Sequence, residues 1–271
     1  MKILFFDYWT RGINNFSRLR SGLVKNGNSV LLIHTGSWRE DHVPLEETID
    51  GIVCRDIQYY HNHIGKALRI ESPDIVIGLN YSHFLDRILV RYCKKFNIRS
   101  IHLMHGVRNI EVETMEIFAE NINRSISFLG KIKRLRSYFR LFYHYYYSRE
   151  RAISPTDLKY FLRMMLSPGR SIILPEKSHD LLWDKALVYS QAYKTFFIDH
   201  VGFQSNRVKI TGNPELDSAI RLIESNNADR LWRDYLDASD INLYFNVGKI
   251  FLLIDQPVVE LGLSTEDIRI N

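Results

Sequence analysis

The sequence predicts an α/β fold built on a doubly wound, mostly parallel sheet. Short unbroken apolar runs recur along the first part of the chain, and amphipathic stretches with apolar residues at helical spacing separate them. Strands buried on both faces read as continuous apolar runs, and a parallel sheet needs helices to cover those faces. The 271 residues are 45% hydrophobic, which is enough apolar chain to bury a sizeable core and excludes a disordered or low-complexity protein.

The elements follow in order. Lys2–Phe6 is a first strand ending at Asp7, and Asn15–Lys25 is a helix carrying Phe16, Leu19, Leu23 and Val24 before a stop at Gly27. Ser29–Ile33, Ile52–Ile57 and Asp74–Leu79 are the next strands, the last introduced by Ser72-Pro73. The helical stretch Ser82–Phe96 leads to a strand at Ser100–Met104. Further on, Thr156–Leu166 is a helix broken at Ser167-Pro168-Gly169, and the rhythm resumes with strand Ala186–Ser190, helix Gln191–Val201 and strand Arg207–Thr211. In Gly212-Asn213-Pro214 the Asn is a good N-cap and the Pro a good first helical residue, so Glu215–Ser225 is helical. This divides the chain into a Rossmann-like domain over 1–225 with a helical insertion at 124–168, a polar connector at 226–248, and an apolar strand at Lys249–Ile254 that opens a further unit over 249–271.

The net charge of +5 is unevenly placed: between Arg124 and Arg151 lie eight basic residues and one acid, a local +7, which leaves −2 for the rest. The same segment holds Phe128, Tyr138, Phe139, Phe142, Tyr143, Tyr145, Tyr146 and Tyr147. Three arrangements use such a segment. On an anionic membrane surface, Lys131, Lys133, Arg134, Arg136 and Arg140 meet lipid phosphates while the rings enter the headgroup region. In a nucleic-acid contact the rings stack on bases. In an ordinary surface helix Leu135, Tyr138, Phe139, Phe142 and Tyr146 face the protein's own core. Nothing else in the chain is basic enough to favour nucleic acid. Cys54 and Cys93 form no disulfide framework and lie in no zinc-type spacing, and no apolar run reaches the roughly 18 residues of a membrane span. The expected location is the cytoplasm, with peripheral attachment to the inner face of the cell membrane.

Open parallel sheets bind ligands outside the carboxyl ends of their strands, which selects the candidate residues. Asp7, Arg11 and Gly12 follow the first strand, Asn80 follows the fourth, and His105, Gly106 and Arg108 follow the fifth. The first loop is no GxGxxG, so a dinucleotide site has little support. Histidine as a residue type titrates near the working pH, so His105 suits a general base. His102 sits three residues earlier, so strand alternation turns it to the opposite face and a shared metal is not expected. Glu111, Glu113 and Glu116 read as a solvated helix face, His61 and His63 as surface, and Gly212 and Asn213 as a turn and a cap.

Three passages carry a family resemblance. ALVYSQAYKTFFIDHVGFQSNRVKITGNPELDSAI (186–220) resembles a segment of GT-B glycosyltransferases and the related sugar-nucleotide 2-epimerases. KIFLLIDQPVVELGLSTED (249–267) resembles the start of the C-terminal domain of polysialyltransferase-like and sialyltransferase-like enzymes. His105-Gly106 in IHLMHGV is similar to the His-Gly of capsule transferases and of CDP-glycerol glycerophosphotransferases. The resemblance implies the N-terminal, acceptor-side half of a GT-B transferase of bacterial surface polysaccharide, with His105 as base. It implies a nucleotide-sugar as co-substrate, no other cofactor, no metal and no nucleic acid, with a lipid-linked glycan as acceptor. Gly212 and Asn213 would then lie near the interdomain cleft. Since the sequence stops where the donor domain of these enzymes begins, the expectation is a fragment, a truncated protein, or a partner C-terminal half carried on a separate polypeptide. A 2-epimerase-like enzyme and a non-catalytic binding remnant are the alternatives.

Overall fold

The computed structural model describes residues 1–8, 13–38, 42–81, 84–105, 115–117, 119–121, 139–147, 155–166 and 182–213. The chain divides into two compact units, Met1–Thr211 and Gly212–Asn271. In the first unit the order is β1 (Lys2–Asp7), α1 (Ile13–Lys25), β2 (Ser29–His34), β3 (Glu46–Ile49), β4 (Ile52–Asp56), α2 (Ile64–Glu71), β5 (Ile75–Gly78), α3 (Phe84–Lys95) and β6 (Arg99–Leu103). It continues through a helical segment at 139–147, α4 (Pro155–Leu166), β7 (Lys185–Val188), α5 (Gln191–Phe196) and β8 (Val208–Ile210). A wider π-type turn, Phe197–Val201, prolongs α5.

Among the described residues one sheet runs β3-β4-β2-β1-β5-β6-β7-β8, parallel throughout except for the β3–β4 pair at its edge. Leaving that edge strand aside, the parallel strands extend the common Rossmann order, so the fold is α/β and Rossmann-like. Alternation along each strand sorts the core into two layers. Leu4, Phe6, Leu31, Ile33 and Val76 join one apolar cluster with α2, α3 and the later helices, while Ile3, Phe5, Leu32, Ile52 and Ile77 join another beneath α1. On that second face the Phe5 and Phe16 rings stack at 4.3 Å. This double burial is why β1 and β2 read as unbroken apolar runs.

Two elements were not expected. β3 pairs with β4 through a two-residue turn, Asp50-Gly51, with φ of 49° and 71°. Both residues take the left-handed region that such a hairpin turn needs, and glycine takes it without steric cost. α2 is capped by His63, whose Nδ1 accepts the Lys66 N–H at 3.1 Å. At its far end Glu71 accepts from Lys2 Nζ at 2.7 Å, Arg55 at 2.7 Å and the Tyr60 hydroxyl at 2.6 Å. Burial pushes the Glu71 carboxyl up, but these donors hold it below its ordinary range.

The return of the chain from the insertion is fixed by two contacts. Ser100 donates its N–H and its hydroxyl to the Asp184 carboxylate at 2.8 and 2.9 Å, tying the start of β7 to the start of β6. The buried Trp183 indole lies over Gly78, where a Cβ would come within 2.4 Å of the ring, and its Nε1–H donates to the Asn80 carbonyl at 3.0 Å. Gly78 is therefore required by a close approach of side chain to backbone.

Helix 139–147 is oriented differently from the sequence expectation. Leu135 and Tyr138 lie outside the described residues; of the residues that would face the core in an ordinary surface helix, Phe139 is exposed and Tyr146 half-buried. Phe142 packs inward against Phe161 of α4 with ring centroids at 4.4 Å, and His144 and Tyr145, not expected inside, are buried. His144 stacks on Trp38 at 5.2 Å and meets His63 edge-on at 5.8 Å, so His63 is not the plain surface residue its HxH spacing indicated. Arg140 lies over the Trp38 ring at 5.5 Å. Lys131, Lys133, Arg134 and Arg136 lie outside the described residues, as do the helix at 215–225 and the apolar run at 249–254.

Two outcomes follow from this packing. Gly78→Ala drives a methyl into the Trp183 ring and should cost about 1–3 kcal/mol by denaturant unfolding; Trp183→Leu in the same chain should recover part of the loss, a coupling a double-mutant cycle reads. Burial, reinforced by His63 and Arg140, pushes the His144 imidazole down to about 4. Below the unfolded value of about 6.5 the unfolded chain binds the proton and the native one does not. Stability from His144 is therefore complete above that pH and is lost as pH falls toward 4, on the order of 3 kcal/mol across the window. His144→Phe keeps the stack on Trp38 and should flatten that decline in the unfolding midpoint.

Candidate functional site

The parallel sheet reverses its strand order at β1, whose neighbours are β2 on one side and β5 on the other. The crevice outside the carboxyl ends of β1 and β5 is where such sheets bind ligands. Asp7, at the end of β1, is buried and accepts its neighbour Tyr8 N–H at 2.7 Å, while its carbonyl accepts from Thr35 N–H at 3.2 Å. The Tyr8 hydroxyl in turn donates to Asp86 of α3 at 2.9 Å. Asp7 thus holds the two strand ends and the turn together. Asn80, after β5, contributes its carbonyl to Trp183.

His105 lies two residues beyond β6 and is half-buried. Its Nδ1 is 3.0 Å from the Leu79 carbonyl oxygen. A carbonyl only accepts, so the proton sits on Nδ1 and, in the neutral ring, the lone pair is on Nε2. This is the tautomer a general base needs. The β5 loop thus orients the β6 histidine.

A small crevice surrounds it, lined by Leu79, Tyr81, His102, Met104, His105 and the α5 aromatics Tyr193, Phe196 and Phe197. Its volume is about 10 Å³, room for about one water-sized group. The alternation argument placed His102 and His105 on opposite faces; both line this crevice instead. β6 ends at Leu103, so strand alternation has no hold on the next two residues. The two rings nevertheless differ in setting. His102 is buried, stacked on Phe197 at 5.3 Å with Tyr81 edge-on at 5.4 Å, whereas His105 is half-buried and meets the Leu79 carbonyl.

The α5 aromatics were not singled out from the sequence, although their spacing at 193, 196 and 197 marks one helix face turned to the sheet. Arg11, Gly12, Gly106, Arg108, Glu111 and Glu113 lie outside the described residues. Glu116 is exposed. Gly212 and Asn213 belong to the second unit, where Gly212 adopts φ of 77° as its turn requires. Among the described residues no three His, Cys, Asp or Glu side chains cluster closely enough to hold a metal ion.

No protein-family model matches the chain, and no curated protein matches it. Among solved structures, the Bordetella bronchiseptica enzyme WbmH in complex with NAD+ is similar over 38% of this chain and 39% of that one, at 16% identity and a TM-score of 0.26. The matched part therefore spans about two fifths of that enzyme's length.

The two histidines should separate cleanly in a stability measurement. His102→Ala empties a buried site among aromatic rings and should cost roughly 2–4 kcal/mol, while His105→Ala, at a half-buried position, should cost less, about 1 kcal/mol. Denaturant midpoints of the two variants check this; equal losses would mean that His105 serves packing as His102 does.

Proposed function

We propose that the first unit is the acceptor-side domain of a GT-B glycosyltransferase of surface-polysaccharide synthesis, with His105 as the general base toward the acceptor hydroxyl. The observation that carries this reading is the fixed His105 tautomer at a strand carboxyl end, with a hydroxyl-sized space beside it. An acceptor hydroxyl entering that space gives up its proton to Nε2 as its oxygen attacks the anomeric carbon of the donor sugar, and the nucleoside diphosphate or monophosphate leaves with the bonding pair. The imidazolium formed keeps its Nδ1–H on the Leu79 carbonyl, which stabilises the added charge. Apolar rings around the crevice exclude bulk water, and Tyr193 offers a phenol face or hydroxyl to the sugar that carries the reacting group. The Rossmann-like order of the sheet and the resemblance of 186–220, of 249–267 and of His105-Gly106 support the same reading.

In this reading the nucleotide part of the donor is held by the second, donor-side half of the enzyme. The chain alone then binds UDP-, CMP- and CDP-linked sugars only weakly, and calorimetry with a donor panel measures it; micromolar affinity for any of them would reverse the assignment of halves. In an assembly competent for transfer, His105→Ala should lower turnover by roughly 10²–10⁴-fold with donor affinity nearly unchanged. Near-wild-type turnover from a normally folded His105→Ala protein would remove His105 from the chemistry and favour the binding-remnant alternative.

A further inference from the structure

The two helices within the insertion are apolar on both sides. Helix 139–147 turns Phe142 and Tyr145 inward, and α4 turns Phe161 and Met165 inward, the two joined through Phe142 and Phe161. On their outer sides stand Phe139, Tyr143 and Tyr147 of the first helix and Leu158, Leu162 and Leu166 of the second, each between 37% and 76% exposed. Both sets fall at i, i+4, i+8, so each is a continuous stripe along one helix face. Six large apolar side chains in two regular stripes on adjacent, mutually packed helices are more than the scattered exposed residues any protein shows.

We infer that this pair of helices is a membrane-docking face that seats its aromatic and leucine stripes in the headgroup region of an anionic bilayer. The charge of the chain selects the occupant. Residues 124–151, which contain the first helix, carry eight basic groups against one acid, and Lys159 stands exposed beside Leu158 on α4. Such a combination of apolar stripe and cationic flank suits an interfacial helix, whose binding adds buried apolar area to attraction for anionic lipid. A second copy of the chain is disfavoured, because pairing these faces would bring two segments of +7 together. Nucleic acid is disfavoured because the leucine stripe has no π-face on which a base can stack. No described helix is long and apolar enough to cross a membrane, so the contact lies in the interface plane. This inference does not depend on the transferase reading.

The test is cosedimentation of the full chain with vesicles of phosphatidylcholine alone and of phosphatidylcholine mixed with phosphatidylserine. Binding to the mixed vesicles that weakens as salt rises is expected, since the attraction is screened over about 8 Å at physiological salt. The variant Leu158→Ser/Leu162→Ser/Leu166→Ser, and separately Phe139→Ser/Tyr143→Ser, should each lower partition by about tenfold or more, because several apolar side chains leave the bilayer at once. All of these side chains are exposed, so circular dichroism and the unfolding midpoint should stay near wild type. The inference is overturned if wild type binds neither vesicle, if the serine variants bind as well as wild type, or if the stripes prove to hold a dimer that the variants dissociate without any lipid binding.

Discussion

Everything downstream of β6 depends on how the chain finds its way back to the sheet after the insertion. Roughly 80 residues separate β6 from β7, and closing so long a connection carries an entropic cost that local propensity cannot offset. Two neighbouring residues supply the register. Asp184 takes both donors of Ser100, and Trp183 drops its indole onto Gly78 and donates to Asn80. Because residue 78 has no Cβ, the ring reaches the backbone of β5, and β7 is thereby aligned parallel to β6, Ile101 opposite Lys185. That alignment brings α5 and its aromatic residues over the carboxyl ends of β5 and β6. Site geometry is thus a consequence of the Ser100–Asp184 and Gly78–Trp183 contacts.

The same alignment explains why two histidines on one segment have unlike chemistry. His102 lies within β6, and the aromatic side chains brought in by β7 and α5 close around it, so it serves as one ring among several. His105 lies past the end of the strand, where the backbone of the neighbouring β5 loop offers a carbonyl and solvent begins. A carbonyl partner fixes the tautomer by accepting the Nδ1–H.

Much of the sheet was legible because double burial writes itself as apolar runs. β1, β2, β4, β5, β6, β7 and β8 fall within a residue or two of where those runs predict them. β3 was missed although Asp50-Gly51 is a strong hairpin signal, because β3 itself alternates exposed and half-buried residues at the sheet edge and has no apolar run. α2 was missed although Ile64, Ala67 and Leu68 share a face, its start being marked by a histidine cap in place of the usual Ser, Thr, Asp or Asn. His105 was readable as a strand-end residue, but its tautomer depends on Leu79, and its aromatic walls depend on α5. Those are contacts between distant parts of the chain, which no local pattern encodes.

Helix 139–147 shows the limit of periodicity from the other direction. Its sequence places apolar or aromatic residues at nearly every position, so helical spacing allows several inner faces of similar apolar content. The choice is made by partners outside the helix: Phe161 accepts Phe142, Trp38 stacks on His144, and the Arg91 guanidinium lies over Tyr145 at 5.2 Å. Once His144 and Tyr145 are inside, helix geometry obliges Phe139, Tyr143 and Tyr147 to point outward, and the same logic puts Leu158, Leu162 and Leu166 outside when Phe161 and Met165 go in. Core packing alone has no use for leucine on the outer side of α4, where Lys or Glu would form helix as well and be better solvated. The outer stripes are therefore a feature that the internal fold leaves unexplained, and an apolar surface outside the protein is the physical setting in which they are stabilising.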